Sequence, residues 1–275
     1  MTALFCDSAL THLGWARNVR IDIAADGTIA GLHVGAAVGS LPLAKGPVIP
    51  GMANLHSHAF QRAMAGLTER SSGCEDSFWT WREVMYDFVA KLGPDEVGAI
   101  AAQLYVEMLK AGYTAVAEFH DLHHLPDGCS YDDPAALSER VIAAAKRSGI
   151  AIYHMPVLYG FGGFGGAPAS AAQARFVNEP DRHAMIVGRL TERHADDAQV
   201  RIGYAAHSLR AVTPETLAEL IALREVWDRE APIHIHIAEQ EREVEDCIAW
   251  SGARPVEWLL HNAPVDERWC LVHAT

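Results

Sequence analysis

The chain has 275 residues, 50% of them hydrophobic and 21% charged, a balance that excludes disordered and fibrous proteins and implies a globular fold with a sizeable core. A net charge of -13 repels nucleic acid and anionic membranes, so neither is expected as a partner and an anionic ligand would need locally placed cations. No apolar run approaches the ~20 residues that cross a bilayer, and the opening MTALFCDSALTHLGW lacks the basic region, apolar core and cleavage site of a secretory signal, which makes the cytoplasm the expected location.

Residues 1–48 read as a small β module. ARNVRIDIAADGTIAGLHVG alternates apolar and polar residues about Asp26-Gly27, a strong hairpin turn. From residue 49 to 275 the rhythm changes to strand, loop, helix, repeated. The predicted strands are VIPGMANLHSH, TAVAEFH, IAIYHMPVLY, VRIGYAAHS, PIHIHIAE and WCLVHAT. Helical patterns lie between them, among them PDEVGAIAAQLYVEMLKAG, DPAALSERVIAAAKRSG and TPETLAELIALREVWDRE, several opening on Pro or an N-capping residue and two closing on Gly. Strands alternating with helices of this length imply parallel strands with helical crossovers, as in a doubly wound sheet or a (β/α)8 barrel.

The position of the histidines chooses the barrel. The sequence has 15 of them, and five of the six strands end in one: His56 with His58, His120, His207, His236 and His273. The C-terminal ends of parallel strands share one rim, so these side chains are expected to converge there. His-Ser-His alone carries little weight, because a histidine beside a core usually satisfies itself locally. The strand period of two, however, puts His56 with His58, and His234 with His236, on common faces where two imidazoles can share a cation. Glu239 follows at the strand's end. It reads either as a carboxylate working on water at such a cation or as an N-cap or first-turn acid of the helix EQEREVEDCIAW, favoured by the macrodipole. Imidazole and carboxylate donors without thiolates suit zinc best, with iron or manganese also fitting. The five cysteines (Cys6, Cys74, Cys129, Cys247, Cys270) are scattered with no C-x-x-C pair and are expected to be buried thiols. GFGGFGG (Gly160–Gly166) contains the dinucleotide fingerprint G-x-G-x-x-G, but no helix opens at its third glycine and no acid follows at a strand end; a mobile loop over the site is expected instead.

PGMANLHSHAFQ, HIHIAEQ and LVHAT resemble the metal-binding strands of the amidohydrolase superfamily, in the branch with one metal and an H-x-x-E on strand five. VRIGYAAHS has no lysine, unlike strand four of the binuclear branch. Within the superfamily, HSHAFQRAMAGLTE, FWTWREVMY, EFHDLHH and AAHSLRAVTPE are similar to the formimidoylglutamate deiminases over nearly the whole chain. The resemblance implies an α/β TIM-type barrel with a small N-terminal β-sandwich module. It implies His56, His58 and His236 as ligands of one divalent metal, Glu239 as proton shuttle and His273 as the residue positioning water. Gln61, Arg82, Asp121, His207 and Arg210 occupy the positions of substrate contacts. The expected reaction is hydrolytic deamination of N-formimidoyl-L-glutamate, a small anionic substrate, to N-formyl-L-glutamate and ammonia in histidine degradation. Arginine suits that substrate, since it grips carboxylates in bidentate fashion. Two rivals stand beside it: another mononuclear aminohydrolase acting on a purine, pterin or guanidine-type substrate, and a catalytically dead metal-binding fragment. A homodimer is left open.

Two departures qualify the resemblance. Asp121 stands where that family usually has tyrosine, placing an acid near a dianionic substrate. A closed barrel needs eight strands and six are counted, so the aspartate ligand of strand eight has no counterpart, and the expectation is a fragment that binds metal poorly and is inactive alone.

Overall fold

A computed structural model describes residues 2–68 and 78–274, with backbone alone for 78–80. It divides into two compact units, Met1–Met52 and Ala53–Thr275. In the first, β1 (Thr2–Thr11), β2 (Gly14–Ile23) and β3 (Ile29–Val34) form an antiparallel sheet in that order. The alternation buries Cys6, Ala9, Val19 and Ile21 together. The turn about Asp26-Gly27 closes as its residues require: Asp26 Oδ1 accepts the Thr28 N–H at 3.0 Å and its hydroxyl at 2.7 Å, and Gly27 adopts φ 86°, a backbone region that penalises a Cβ. Val48, expected to open the first barrel strand, instead bridges Ala9 and donates its N–H to the Ser8 carbonyl at 2.9 Å.

The second unit alternates strands and helices. Its strands are β4 (Met52–Ser57), β5 (Tyr113–His120), β6 (Ala151–Leu158), β7 (Val200–Ile202), β8 (Tyr204–Ser208), β9 (Ile233–His236) and β10 (Trp269–Val272). They run in the order β4-β5-β6-β8-β9-β10, with β7 added to β6. The β5–β6, β6–β8, β8–β9 and β9–β10 pairs are parallel, and the six strands curve into a nearly closed barrel. The predicted strand Val200–Ser208 is therefore two. Gly203 interrupts it, where a Cβ would stand 2.8 Å from Met155 Cγ and where the N–H bonds the His154 carbonyl at 2.9 Å.

The helices are α1 (Phe78–Val89), α2 (Pro94–Lys110), α3 (Ala136–Ser148), α4 (Pro180–Arg193), α5 (Pro214–Trp227), α6 (Glu241–Ser251) and α7 (Pro255–Asn262). Pro94, Pro180, Pro214 and Pro255 each stand in the first turn of their helix, where the missing N–H removes a donor that would lack a partner. Gly149 ends α3 at φ 87°, the left-handed stop that glycine adopts without strain. On α2, Val97, Ala101, Tyr105 and Met108 recur at helical spacing and are buried against the sheet's outer face. No helix among the described residues is long and apolar enough to cross a membrane.

Strand alternation sorts the side chains into two cores. Ala117, Phe119, Met155, Val157 and Ala205 fill the barrel interior. Val116 and Ile152, one step out of phase, face the helices. His120 shares the phase of Val116, so it points away from the barrel axis, 5.0 Å ring to ring from His154. The expectation that all strand-terminal histidines converge thus fails for His120, because its strand spends the inward position on Phe119. Cys6 and Cys247 are buried as expected, Cys270 is half-buried, and Cys129 is exposed on a loop turn; Cys74 lies outside the described residues. GFGGFGG is a tight turn, not a free loop: Gly160 and Phe161 donate to the Ala211 carbonyl, Gly162 to Ala167, and Ala167 to Gly163. No helix opens at its third glycine; Ala171–Gln173, a short 3-10 turn, comes next.

The outward histidines carry a pH dependence. Burial pushes His154 down to about 3 and His183, whose ring donates to the Pro156 carbonyl at 3.0 Å, down to about 4. Between those values and the ordinary 6.5, the unfolded chain takes up protons that the folded one refuses, so stability present above pH 6.5 drains as pH falls. At pH 5 each such histidine costs about 2 kcal/mol. Urea midpoints at pH 7 and pH 5 are expected to show this loss, and His154→Leu to remove about one histidine's share of it.

Candidate metal and substrate site

The ten residues that the resemblance marks as metal ligands, catalytic groups or substrate contacts line one cavity of about 370 Å3 at the C-terminal rim of the strands: His56, His58, Gln61, Arg82, Asp121, His207, Arg210, His236, Glu239 and His273. The first two come from the end of β4, where alternate positions face inward. His236 ends β9. The three Nε2 atoms form a triangle with sides of 3.0 Å (His56–His58), 3.2 Å (His58–His236) and 3.0 Å (His236–His56).

Such a triangle cannot satisfy itself. A neutral imidazole nitrogen carries either a proton or a lone pair, so of three in mutual contact at least two present the same character to each other. A cation facing three lone pairs removes the conflict. Tetrahedral coordination at ~2.0–2.1 Å needs nitrogens about 3.3 Å apart, close to the sides observed, so the donor set fits a divalent metal. Protons are not competitors for these nitrogens near neutral pH: burial lowers His56 to about 4, His58 to about 3 and His236 well below its ordinary value. The tautomer of His236 is set from behind. Its Nδ1 lies 3.1 Å from the His207 carbonyl, which can only accept, leaving the lone pair on Nε2. The carbonyl is aimed by an irregularity in β8, whose pairing with β9 shifts register between Ala206 and Ser208. His234, two residues before His236, shares its inward phase but lies deeper and outside the triangle.

Phe119, fully buried, is the floor of this group; its ring centroid is 5.3, 5.2 and 4.4 Å from those of His56, His58 and His236. Composition conceals it, but the TAVAEFH alternation could have found it. Tyr159, 4.5 Å from the His207 ring, and Trp81, Met85, Tyr86 and Phe176 complete an apolar wall that sequence reasoning missed.

Glu239 stands before the N-cap of α6, Gln240, while Glu241 and Glu243 fill the first turn. It is therefore neither the N-cap nor a first-turn acid of that helix. Burial raises its pKa, opposed by His273, Arg210 and Arg82 and reinforced by Glu243; His273 Nε2 lies 3.8 Å from Oε1. His273 follows β10 at φ 57°, a left-handed conformation that histidine adopts more readily than most residues. Arg210 donates to Glu243 Oε1 at 2.8 Å, and Glu243 Oε2 accepts the Glu239 N–H at 3.0 Å. One helix acid thus fixes a guanidinium and the backbone of a neighbouring carboxylate together. Burial works to depress Arg210, and the Glu243 charge and hydrogen bond outweigh it to leave the value raised.

Arg82, on α1, donates to the Tyr86 hydroxyl at 2.6 Å with its guanidinium 5.2 Å over the ring; burial pushes Tyr86 up to about 12. The C-terminal end of α1 is clasped by the buried Arg175, which donates to the Val89, Leu92 and His124 carbonyls. Asp121 lies at the cavity wall with its Oδ1 buried and unpaired, and burial pushes it up to about 7. Its Oδ2 is 3.9 Å from His58 Nδ1, too far for a hydrogen bond.

The model of the Amidohydrolase family matches residues 48–273, and that of the formimidoylglutamate deiminase HutF N-terminal domain matches 1–40. A formimidoylglutamate deiminase of Pseudomonas aeruginosa is 54% identical over 275 residues, 100% of this chain and 60% of that protein. A 5-methylthioadenosine/S-adenosylhomocysteine deaminase of Natronomonas pharaonis is 27% identical over 82% of this chain and 45% of its own length. Among solved structures, an amidohydrolase from Brucella melitensis superposes with TM-score 0.92 at 46% identity, covering 100% of this chain and 60% of that one. A zinc-bound adenosine deaminase from Xanthomonas campestris superposes at 0.72 with 20% identity, over 100% of this chain and 57% of its own, a likeness of fold alone. The chain thus spans about 60% of the length of the curated deiminase it matches.

Glu243→Leu is expected to leave the Arg210 charge buried without its partner and to lower unfolding free energy by about 3–5 kcal/mol. Glu243→Gln, which keeps an acceptor oxygen, should cost less. Urea denaturation of the two variants measures the difference.

Proposed function

Since the chain belongs to the amidohydrolase family, we propose that its site deaminates N-formimidoyl-L-glutamate hydrolytically, giving N-formyl-L-glutamate and ammonia. The observation that carries this reading is one cavity holding both a closed triangle of imidazole nitrogens and two arginines, Arg82 and Arg210. The 54% identity to a formimidoylglutamate deiminase supports the choice of substrate.

In this reading His56, His58 and His236 hold one divalent metal, with zinc the best match to three neutral imidazoles and iron or manganese compatible. When bound there, the ion supplies the positive charge that makes water nucleophilic near neutral pH and draws electron density from the C–N bond. The protein's own groups do the rest. Arg82 and Arg210 grip the two substrate carboxylates, and Gln61 and His207 border the formimidoyl end. Phe119 and the apolar wall exclude bulk water. Glu239 takes a proton from the attacking water and returns it to the departing nitrogen, so that ammonia leaves; a carboxyl whose pKa is raised toward neutrality by burial can do both. His273, 3.8 Å from it, orients the water and steadies developing charge. Asp121, whose Oδ1 is buried without a partner at the cavity wall, borders the same substrate. The setting is cytoplasmic, and residues 1–48 and 49–275 act as separate modules.

Ammonia release from N-formimidoyl-L-glutamate tests the proposal, assayed on a version as long as the deiminase of which this chain spans 60%. Glu239→Gln is expected to lower kcat by at least ~100-fold with metal content retained, and Arg82→Ala to raise KM more than it lowers kcat. Turnover of a purine with none of formimidoylglutamate would transfer the site to another aminohydrolase. Bound metal with no turnover of either, unchanged in Glu239→Gln, would leave a metal binder.

A further inference from the structure

Glu118 is a buried carboxyl that the proposed reaction leaves unused. It lies on the outer face of β5 at 1% exposure, in register with His154 and one pair beyond the apolar Val116–Ile152 pair on that face. An apolar side chain would fill that place without the desolvation that a carboxyl suffers. Its two oxygens are both engaged. Oε1 accepts the Ala59 N–H at 2.6 Å and Oε2 the hydroxyl of Tyr105, itself fully buried on α2, at 3.1 Å.

Ala59 follows His58 and opens the 3-10 turn Ala59–Met64. The first N–H groups of such a turn lack partners within it, and a short polar side chain at the preceding position commonly supplies one. Here the preceding residue is His58, whose side chain makes no capping bond and faces His56 and His236 instead. The chain also changes direction here: His58 has φ -121° and ψ 87°, neither strand nor helix. The peptide joining His58 to Ala59 therefore decides where the imidazole points.

We propose that Glu118 is a positioning residue for His58: from the neighbouring strand it caps the turn that His58 cannot cap, and Tyr105 holds the carboxyl on target. This rests on the reading of His56, His58 and His236 as metal ligands. Replacing Glu118 should then disturb metal affinity through the backbone, without any contact between Glu118 and the ion.

The test combines amide exchange with zinc competition against a chelator. In the unaltered protein the Ala59 amide is expected to exchange at least ~100-fold more slowly than an unbonded amide. Glu118→Gln, which keeps an acceptor oxygen at the same reach, should hold zinc within about threefold of the parent. Glu118→Leu, folded by circular dichroism, should free the Ala59 amide and weaken zinc by ~10–100-fold. A role in stability alone would lower the melting temperature without separating the zinc affinities of the two variants, and that result overturns the proposal. So does an Ala59 amide that exchanges freely in the unaltered protein, a measurement that decides the matter even where Glu118→Leu does not fold. Neither readout involves turnover, so absence of ammonia release would count against the proposed substrate and leave this inference standing.

Discussion

The strictest constraint on this molecule is the two-residue alternation of side chains along parallel strands that share a rim. Each strand presents alternate inward positions toward its C-terminal end, and whatever occupies the last of them enters the site. β4 spends two such positions on His56 and His58, β8 one on His207 and β9 one on His236. β5 spends its own on Phe119 and so turns Glu118 and His120 outward. The site is therefore a set of imidazoles above an aromatic floor, and the residues behind the strands become its support. A slip of one residue in any of these strands would exchange site and scaffold.

The second organising feature is how an acidic chain keeps cations in one place. With net charge -13 an unassisted guanidinium would be drawn to any nearby carboxylate. Arg210 is instead committed to a single buried acid, Glu243, which also holds the backbone of Glu239. Arg82 is steadied by the face and hydroxyl of Tyr86. These partners leave the two guanidinium groups lining the cavity in set orientations, a requirement for recognising two carboxylates at once.

Much of this was legible in the linear sequence. Prolines before apolar stripes marked the helices, Asp26-Gly27 marked the hairpin, and H-x-H with a distant H-x-x-E marked the residues that meet in the cavity. Less legible were the features whose cause lies in another segment. Gly203 divides the predicted strand at a place where any Cβ would stand 2.8 Å from Met155 Cγ, a neighbour 48 positions away that the local sequence does not reveal. Nothing in EREVED sets Glu243 apart from its neighbouring acids; its pairing with Arg210 is a contact across 33 positions. Glu118 opens EFHDLHH, but nothing in that stretch links it to the Ala59 amide it meets across the strands.

What the sequence determined by itself is periodicity and chemistry: which segments are strands, which residues can bind a cation, and which face each shares with its near neighbours. Only the tertiary structure decided phase and partnership. The two-residue period puts Glu118 and His120 on one face of their strand and Phe119 on the other, yet it does not say which face looks inward. That choice depends on where the helices pack and how neighbouring strands register, and both are properties of contacts between residues far apart in the chain.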